Sequence, residues 1–562
     1  MRRRWTTSSK LIVPLSVLLI LAFAAHAETR SGRRSGSFAP AGTLGSTDRR
    51  AVGGEEPLVR DDLTKALRRG DITQATYTLN RGLSIFHPAQ VRARFGDVAR
   101  PGPRDGTPIL RDLVARYDEL SPAQRVVARS ILARPTDGAG DPAGDGYSVP
   151  EEAPVCNANA CIHYVASTSD APPAGWVDST ATAFDTVWAK EITQYGYRPP
   201  KSDITSTNHG PDGTIDIYLA DVGANGLYGY CTTDDPNALN PNFDVSVFCV
   251  VDNDMSPAQF QGAVSGVPAL QVTLAHEFFH AVQGAYDFFE DAWYAEGTAT
   301  WMEDEVFDSV DDNLQYLRSS QLRQPFVPLD FSDLRYRYVY GAWIWFRFMS
   351  EYFGPKASDD PSIIRRSWEY AGAGAGGPDQ YSLEAIASAI KERDSTFGSA
   401  YADFGVWNDV PGLAYSEGDS YPVPPYASKH KITAGRPVQG GKLVMDHLTQ
   451  GYAGFVPRSG VSTTAKLRIA VDLPAVAAGS EASVVMINSN GGARYKVIRL
   501  NTRGDGRVTV PFGRGRIATV DLVITNASER TRCWIDNSFT FSCAGKPKDD
   551  RLKYLYAAGL VQ

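Results

Sequence analysis

The 562-residue chain has only six cysteines and eight histidines, no CxxC pair, and no apolar run to match the one at its start. Each scarcity excludes something. Without CxxC, a cysteine-ligated zinc of the finger or ribbon kind has no ligand pattern to use. Without a second apolar run of roughly 20 residues, no later segment is expected to span a membrane. The formal net charge is −8, from 56 basic and 64 acidic side chains. That leaves no basic surplus for nucleic acid or an anionic membrane surface. No internal repeat and no heptad pattern occurs, so solenoids and coiled coils drop out as well.

What is present begins with an address. "MRRRWTTSSK" is basic, "LIVPLSVLLILAFAA" is apolar, and "AHA" at Ala25 to Ala27 puts small residues where a signal peptidase reads. Residues 1–27 are therefore expected to be a cleavable signal peptide, and the chain to be secreted or periplasmic without a stable membrane anchor. The other reading, an uncleaved anchor, suffers because an apolar stretch of about 15 residues is short for spanning. An exported chain with an even number of cysteines is expected to form disulfides. They fall into close pairs, Cys156 with Cys161, Cys231 with Cys249 and Cys533 with Cys543, so local bridging is the simplest arrangement.

Residues 28–59 carry few large apolar side chains among Gly, Ser and Arg, which predicts a disordered linker. From 60 to 136 the pattern turns helical and locally basic. In "GDITQATYTLNRGL", Asp71 followed by Gln74 suggests a capping box. In "LSPAQRVVARSILARP", Ser121, Pro122 and Gln124 mark a helix start and Pro135 a stop. Such a module after a signal peptide suits a propeptide, or else a helical domain that is retained. A Pro/Gly/Asp linker follows, and over 150–428 the strand-like "ACIHYVAS", "GTIDIYLADVG" and "VSVFCVVDND" mix with helical segments. That mixture is an α+β pattern. Beyond it, "KLRIAVDLP", "ASVVMINSN" and "ATVDLVITNAS" are short β-branched runs between Gly and Asn turns, predicting a β-sandwich over 429–546.

The chemistry is concentrated in "TLAHEFFHAVQGAYDFFEDAWYAEGTATWMEDE", Thr273 to Glu305. His276 and His280 stand four apart, so on a helix both imidazoles share one face and can reach one metal ion. Glu277 projects beside them, placed to take a proton from a bound water. The helix is well supported: Pro268 suits its first turn, Ala269, Val272, Ala275, Phe279 and Val282 give an apolar face, and Gly284 is a natural stop. A hydrolytic zinc site needs a third protein ligand and an open position. Asp287, Glu290, Asp291, Glu296, Glu303 and Asp304 all lie close enough in sequence to supply it.

"WYAEGTATWME" resembles the second-helix signature of the gluzincin zinc peptidases, in particular their aminopeptidase-like group, with its W-x-x-E-G-x-A-x-x-x-E pattern. Here Trp293, Glu296, Gly297, Ala299 and Glu303 match it. The resemblance implies a zincin-like α+β metallopeptidase domain with Zn2+ held by His276, His280 and Glu296. Glu303 shares a helix face with Glu296 and either orients a ligand histidine or is a solvated acid. The connection from His280 to Glu296 is shorter than in that group, and its G-x-M-E-N strand has no counterpart. Aminopeptidase activity is therefore not carried over. "RYRYVYGAWIWFRFMSEYFG" resembles the same group's tyrosine segment, which implies an oxyanion-stabilising phenol from Tyr340, with Tyr338 the alternative. The whole layout resembles secreted metalloproteases of myxobacteria and other bacteria.

The expected activity is hydrolysis of a protein or peptide substrate. The strand ending "VFCVVDND" is a candidate to pair with that substrate as an added strand. Two other readings stay open: an adhesion or binding protein on an inactive scaffold, and a zinc hydrolase acting on other bonds. Intact Glu277 speaks against the first. The acids of "HGPDGTIDIYLADVG" and "CVVDNDM" suit turns better than a calcium loop, since the EF-hand pattern is incomplete. His163, His209, His430 and His447 have no comparable context and are expected to be structural.

Overall fold

The computed structural model of the chain describes residues 35–38, 61–98, 104–140, 146–206, 208–234, 243–260, 263–332, 337–355, 359–535 and 540–561. The expected signal peptide lies outside them. Of the stretch 28–59, β1 (Ser35–Phe38) is described, and it pairs antiparallel with Ala493 to Lys496, so there the expected disordered linker is a strand.

Helices α1 (Asp62–Arg69), α2 (Gln74–Phe86) and α3 (Pro88–Phe95) come next, then the two-residue β2 (Arg104–Asp105), α4 (Thr107–Ala115) and α5 (Pro122–Ile131). Side chains cap the starts of α1, α2 and α5 on otherwise orphaned backbone amides, while α3 and α4 start with a proline in the first turn. The Ser121–Gln124 capping box is present as the sequence predicts. The expected box at Asp71 is not. Thr73 caps α2 by accepting from the Thr76 amide, while Asp71 accepts from Arg69 Nε at 2.8 Å. A cap must directly precede the first helical residue, and Thr73 does.

The central sheet contains β2, β3 (Val155–Cys156), β4 (Ala160–His163), β5 (Ile215–Ala220), β6 (Leu227–Thr232) and β7 (Phe248–Asp252), ordered β2-β6-β7-β5-β4-β3. β4, β5 and β7 run parallel, and β6 reverses direction against β7. β5 and β7 are buried along their whole length, which is why "IDIYLA" and "FCVVD" are nearly unbroken apolar runs instead of alternating ones. β7 sits between β5 and β6 and has no free edge, so it is not the strand to which a substrate could add. Local pattern does not encode strand order, and the strand nearer the edge is β6.

α6 (Trp176–Trp188) and α7 (Gly266–Gly284) pack on this sheet, and α8 (Ala292–Phe307) packs on α7. α9 (Tyr338–Gly341), α10 (Trp343–Phe353), α11 (Ser362–Ala371), α12 (Ser382–Lys391) and α13 (Phe397–Asp409) complete the region. One apolar core runs through it and into the N-terminal helices, joining Leu63, Leu110 and Leu113 to Phe279, Trp293 and Trp345. Just past α5, the buried Arg134 is held by Asp203 at 2.7 Å, Asp234 at 2.8 Å and Asp216. The molecule is thus mixed α+β with open sheets.

The C-terminal strands are β8 (Ser428–Ile432), β9 (Val438–Met445), β10 (Thr449–Pro457), β11 (Lys466–Asp472), β12 (Ser480–Asn488), β13 (Ala493–Val497), β14 (Asp505–Pro511) and β15 (Ile517–Asn526). A small ladder of β16 (Thr531–Arg532) with β17 (Lys546–Pro547) precedes β18 (Leu552–Val561). One sheet is ordered β1-β13-β12-β15-β10-β8 and the other β14-β11-β18-β9, and they face each other across Leu467, Ile469, Val484, Leu522 and Tyr554. β11 alternates exposed and buried residues, as a strand with one wet face should. β10 is buried throughout because α13 covers its outer face, with Val406 and Val410 against Tyr452, Val485 and Val523. β18 lies beyond 546, so the paired sheets extend further than the sequence suggested.

His447 ties the two regions together, with Nδ1 2.7 Å from Asp550 and Nε2 2.9 Å from Asp330. The cysteines bridge locally as expected: Cys156–Cys161, Cys231–Cys249 and Cys533–Cys543. Among the described residues no helix is long and apolar enough to cross a membrane.

Candidate metal centre

α7 carries both histidines on one face and α8 packs against it, while Gly297 of α8 lets the α10 segment close in. A Cβ at Gly297 would lie 2.8 Å from the Phe346 ring and 3.2 Å from Ala342 Cβ. This packing sets Glu296 between the imidazoles. Its Oε2 is 3.4 Å from His276 Nε2 and its Oε1 is 3.6 Å from His280 Nε2. One ligand atom from each of the three residues lies within 4.8 Å of the other two.

The opposite ring nitrogens are held from behind. His276 Nδ1 is 2.7 Å from Glu303 Oε1, and His280 Nδ1 is 2.8 Å from Gln283 Oε1. The Gln283 amide nitrogen donates to Ala295 O at 2.9 Å and to Thr298 Oγ1 at 3.1 Å, so its oxygen is the acceptor facing the ring. Both imidazoles therefore donate from Nδ1 and turn the basic Nε2 toward Glu296. A tetrahedral ion of the zinc class fits this donor set: two imidazole nitrogens, one carboxylate, and room for one further ligand.

The other acids near in sequence are engaged elsewhere. Asp291 accepts from the Cys543 amide at 2.9 Å, Asp304 pairs with Arg347, and Asp287 accepts from the Phe289 amide at 2.7 Å. Glu290 accepts from the Asp291 amide at 3.2 Å. Glu303 is used, but on the far nitrogen of His276. Asp212 and Asp252, from the calcium-like stretches, accept amide hydrogens of Thr214 and of Gly223 and Met255, as turn-forming aspartates do.

Glu277 follows His276 and faces β6, where Gly229 leaves space for it. A Cβ at Gly229 would be 3.0 Å from Glu277 Cγ. Glu277 Oε2 accepts from the Thr107 hydroxyl at 3.2 Å. On the other side of His276, Tyr340 stands with ring centroids 6.1 Å apart and stacks on Tyr316. A narrow pocket is lined by Tyr228, Thr273, His276, Glu277, Tyr316 and Tyr340, among others. Tyr338 points away; its hydroxyl accepts from Gln321 at 2.6 Å and donates to Val327 O at 2.9 Å.

Sequence reasoning missed two contributors to the site and one buried acid beyond α6. Gln283 lies three residues after His280 on the same helix and was legible by spacing alone. Thr107 lies 170 positions from Glu277 and gave no local signal. Glu191, fully buried in the π-helical turn Ala189–Gln194 beyond α6, has its carboxyl pushed well above the ordinary range by burial, against the opposing pull of His276. The segment "AKEITQ" carries no motif that marks it. No family model matches the chain, and no curated protein matches it either.

Proposed function

We propose that the chain is a secreted, zinc-dependent metallopeptidase of gluzincin type, with a zincin-like catalytic region that includes α7 and α8. The observation that carries this reading is Glu296 set between two Nε2 atoms whose rings are both fixed from behind. Zinc on His276, His280 and Glu296 would supply Lewis acidity beside the carboxylate of Glu277. Glu277 takes the proton of the attacking water and returns it to the leaving amine. Tyr340 donates a hydrogen bond to the carbonyl oxygen as it gains charge. Glu303 and Gln283 hold the imidazoles in the ligating tautomer. The three disulfides and the basic-apolar leader support an oxidising, extracellular setting.

The test is zinc per molecule and casein hydrolysis for the wild type and Glu277→Gln. The variant should keep its zinc and lose activity by roughly 100- to 10,000-fold, the range for a general base. Bound zinc with no Glu277-dependent cleavage of any peptide overturns the reading.

A further inference from the structure

The N-terminal helices are not merely neighbours of the candidate site; they reach into it. β2 pairs parallel with β6, Arg104 opposite Leu227 and Asp105 opposite Gly229, and the Gly106 amide donates to Gly229 O at 3.1 Å. β6 is the strand beside Glu277, and β2 takes up its outer edge. Thr107, at the first turn of α4, is buried with its hydroxyl on Glu277 Oε2 while accepting from the Cys231 amide at 2.8 Å. One turn on, Arg111 donates to Glu290 O at 2.8 Å, in the connection between α7 and α8. Thr107 and Arg111 wall a small cavity together with His280, Gln283 and Glu296.

With these helices in place the site is closed. His276 is 6% exposed, Glu277 2%, His280 3% and Glu296 0%. A polypeptide approaching Glu277 along β6 needs backbone donors and acceptors from that strand's edge. β2 and Gly106 already use them.

Building on the metallopeptidase reading, we infer that residues 62–134 are a plug in cis: the β2–Thr107 segment occupies the ground an extended substrate needs, and the site works only after the plug leaves. Besides the apolar core it shares with the catalytic region, three polar fastenings hold it, namely the β2–β6 pairing, the Thr107 and Arg111 hydrogen bonds, and Arg134 in its socket of Asp203, Asp216 and Asp234. None is covalent, while the chain itself continues through 138–145, rich in Gly, Pro and Asp. Severing that stretch converts a tethered occupant into one that can dissociate.

The experiment uses the full-length chain, zinc-loaded, with a specific protease site placed within 138–145. Hydrolysis of an internally quenched peptide and the rate at which EDTA strips zinc are followed before the cut and after size-exclusion separation of the fragments. Both rates should rise at least tenfold once the plug has separated. A plug that separates while both rates stay within twofold, or fall, overturns the inference, because the helices are then part of the working site. Fragments that part only when the remainder unfolds overturn it too, since a plug must leave a folded body. Faster zinc stripping with no peptide hydrolysis leaves the plug standing and sinks the peptidase reading instead.

Discussion

His163 and His447 are as deeply buried as His276 and His280, yet the two pairs are built for different ends. Each ring of the first pair has a carboxylate on both nitrogens: Glu151 at 2.8 Å and Asp216 at 2.9 Å for His163, Asp550 and Asp330 for His447. Burial alone lowers the pKa of these rings, but the paired acids outweigh it, raising His163 and bringing His447 up to about 10. Acids on both nitrogens favour the protonated ring, which has no lone pair to offer a metal. In the second pair one carboxylate is shared between two rings, and the far nitrogens rest on Glu303 and Gln283. Both nitrogens of His163 and of His447 are closed by acids within 2.9 Å, whereas the Nε2 atoms of His276 and His280 stand back 3.4 and 3.6 Å from one shared carboxylate, which leaves a place for a cation between them.

The contrast can be broken at either end. His447→Ala should be the costlier change, about 3–5 kcal/mol of stability, because Asp330 is fully buried and loses its cation. Zinc content should stay unchanged. The same clamp predicts a pH dependence. The folded pKa lies near 10, above an unfolded value near 6.5. The native state therefore holds more protons than the unfolded one, so stability must fall as pH rises. The contribution is complete below the unfolded pKa, declines by about 1.4 kcal/mol per pH unit through the window, and is gone above the folded pKa. Urea midpoints for wild type and His447→Ala from pH 6 to about 11 should converge; parallel curves would remove the imidazolium from the account.

Glu296→Ala should do the reverse, weakening zinc binding by more than roughly 100-fold, beyond the usual cost of losing an outer partner. Elemental analysis after dialysis reads this directly, and full zinc retention would reassign the third ligand. Smallest is Glu303→Gln, which keeps an acceptor for His276 Nδ1 but not its charge. A loss of zinc affinity of about 10- to 100-fold is expected by competition titration, with the melting temperature of the metal-free protein little changed. An unchanged affinity would reduce Glu303 to a packing residue.

What the sequence revealed depended on how local the cause was. Ser121, Pro122 and Gln124 stand within one turn, so the start of α5 was legible, whereas Asp71 misled because Thr73 stood nearer the helix. His276 and His280 share a helix face by spacing, and Glu296 was picked out by the resemblance of its helix. Strand order was not legible: nothing in "FCVVD" says that β6 will lie outside it. Nor could Thr107 be tied to Glu277, since that contact exists only after β2 joins the sheet. Tyr338 and Tyr340 were inseparable on paper because the distinction is a matter of which side of a short helix meets His276.

The Cys231–Cys249 bridge joins two residues directly opposite each other on β6 and β7. A slip of one residue between these strands would turn every side chain of β6 to the other face. The bridge forbids that slippage, because its half-cystines can meet at only one alignment. Two residues before Cys231 stands Gly229, the position on β6 whose missing side chain admits Glu277. The covalent bond thus acts as a locating pin, and what it locates is an absence: a gap in one strand kept level with a carboxylate on the helix above.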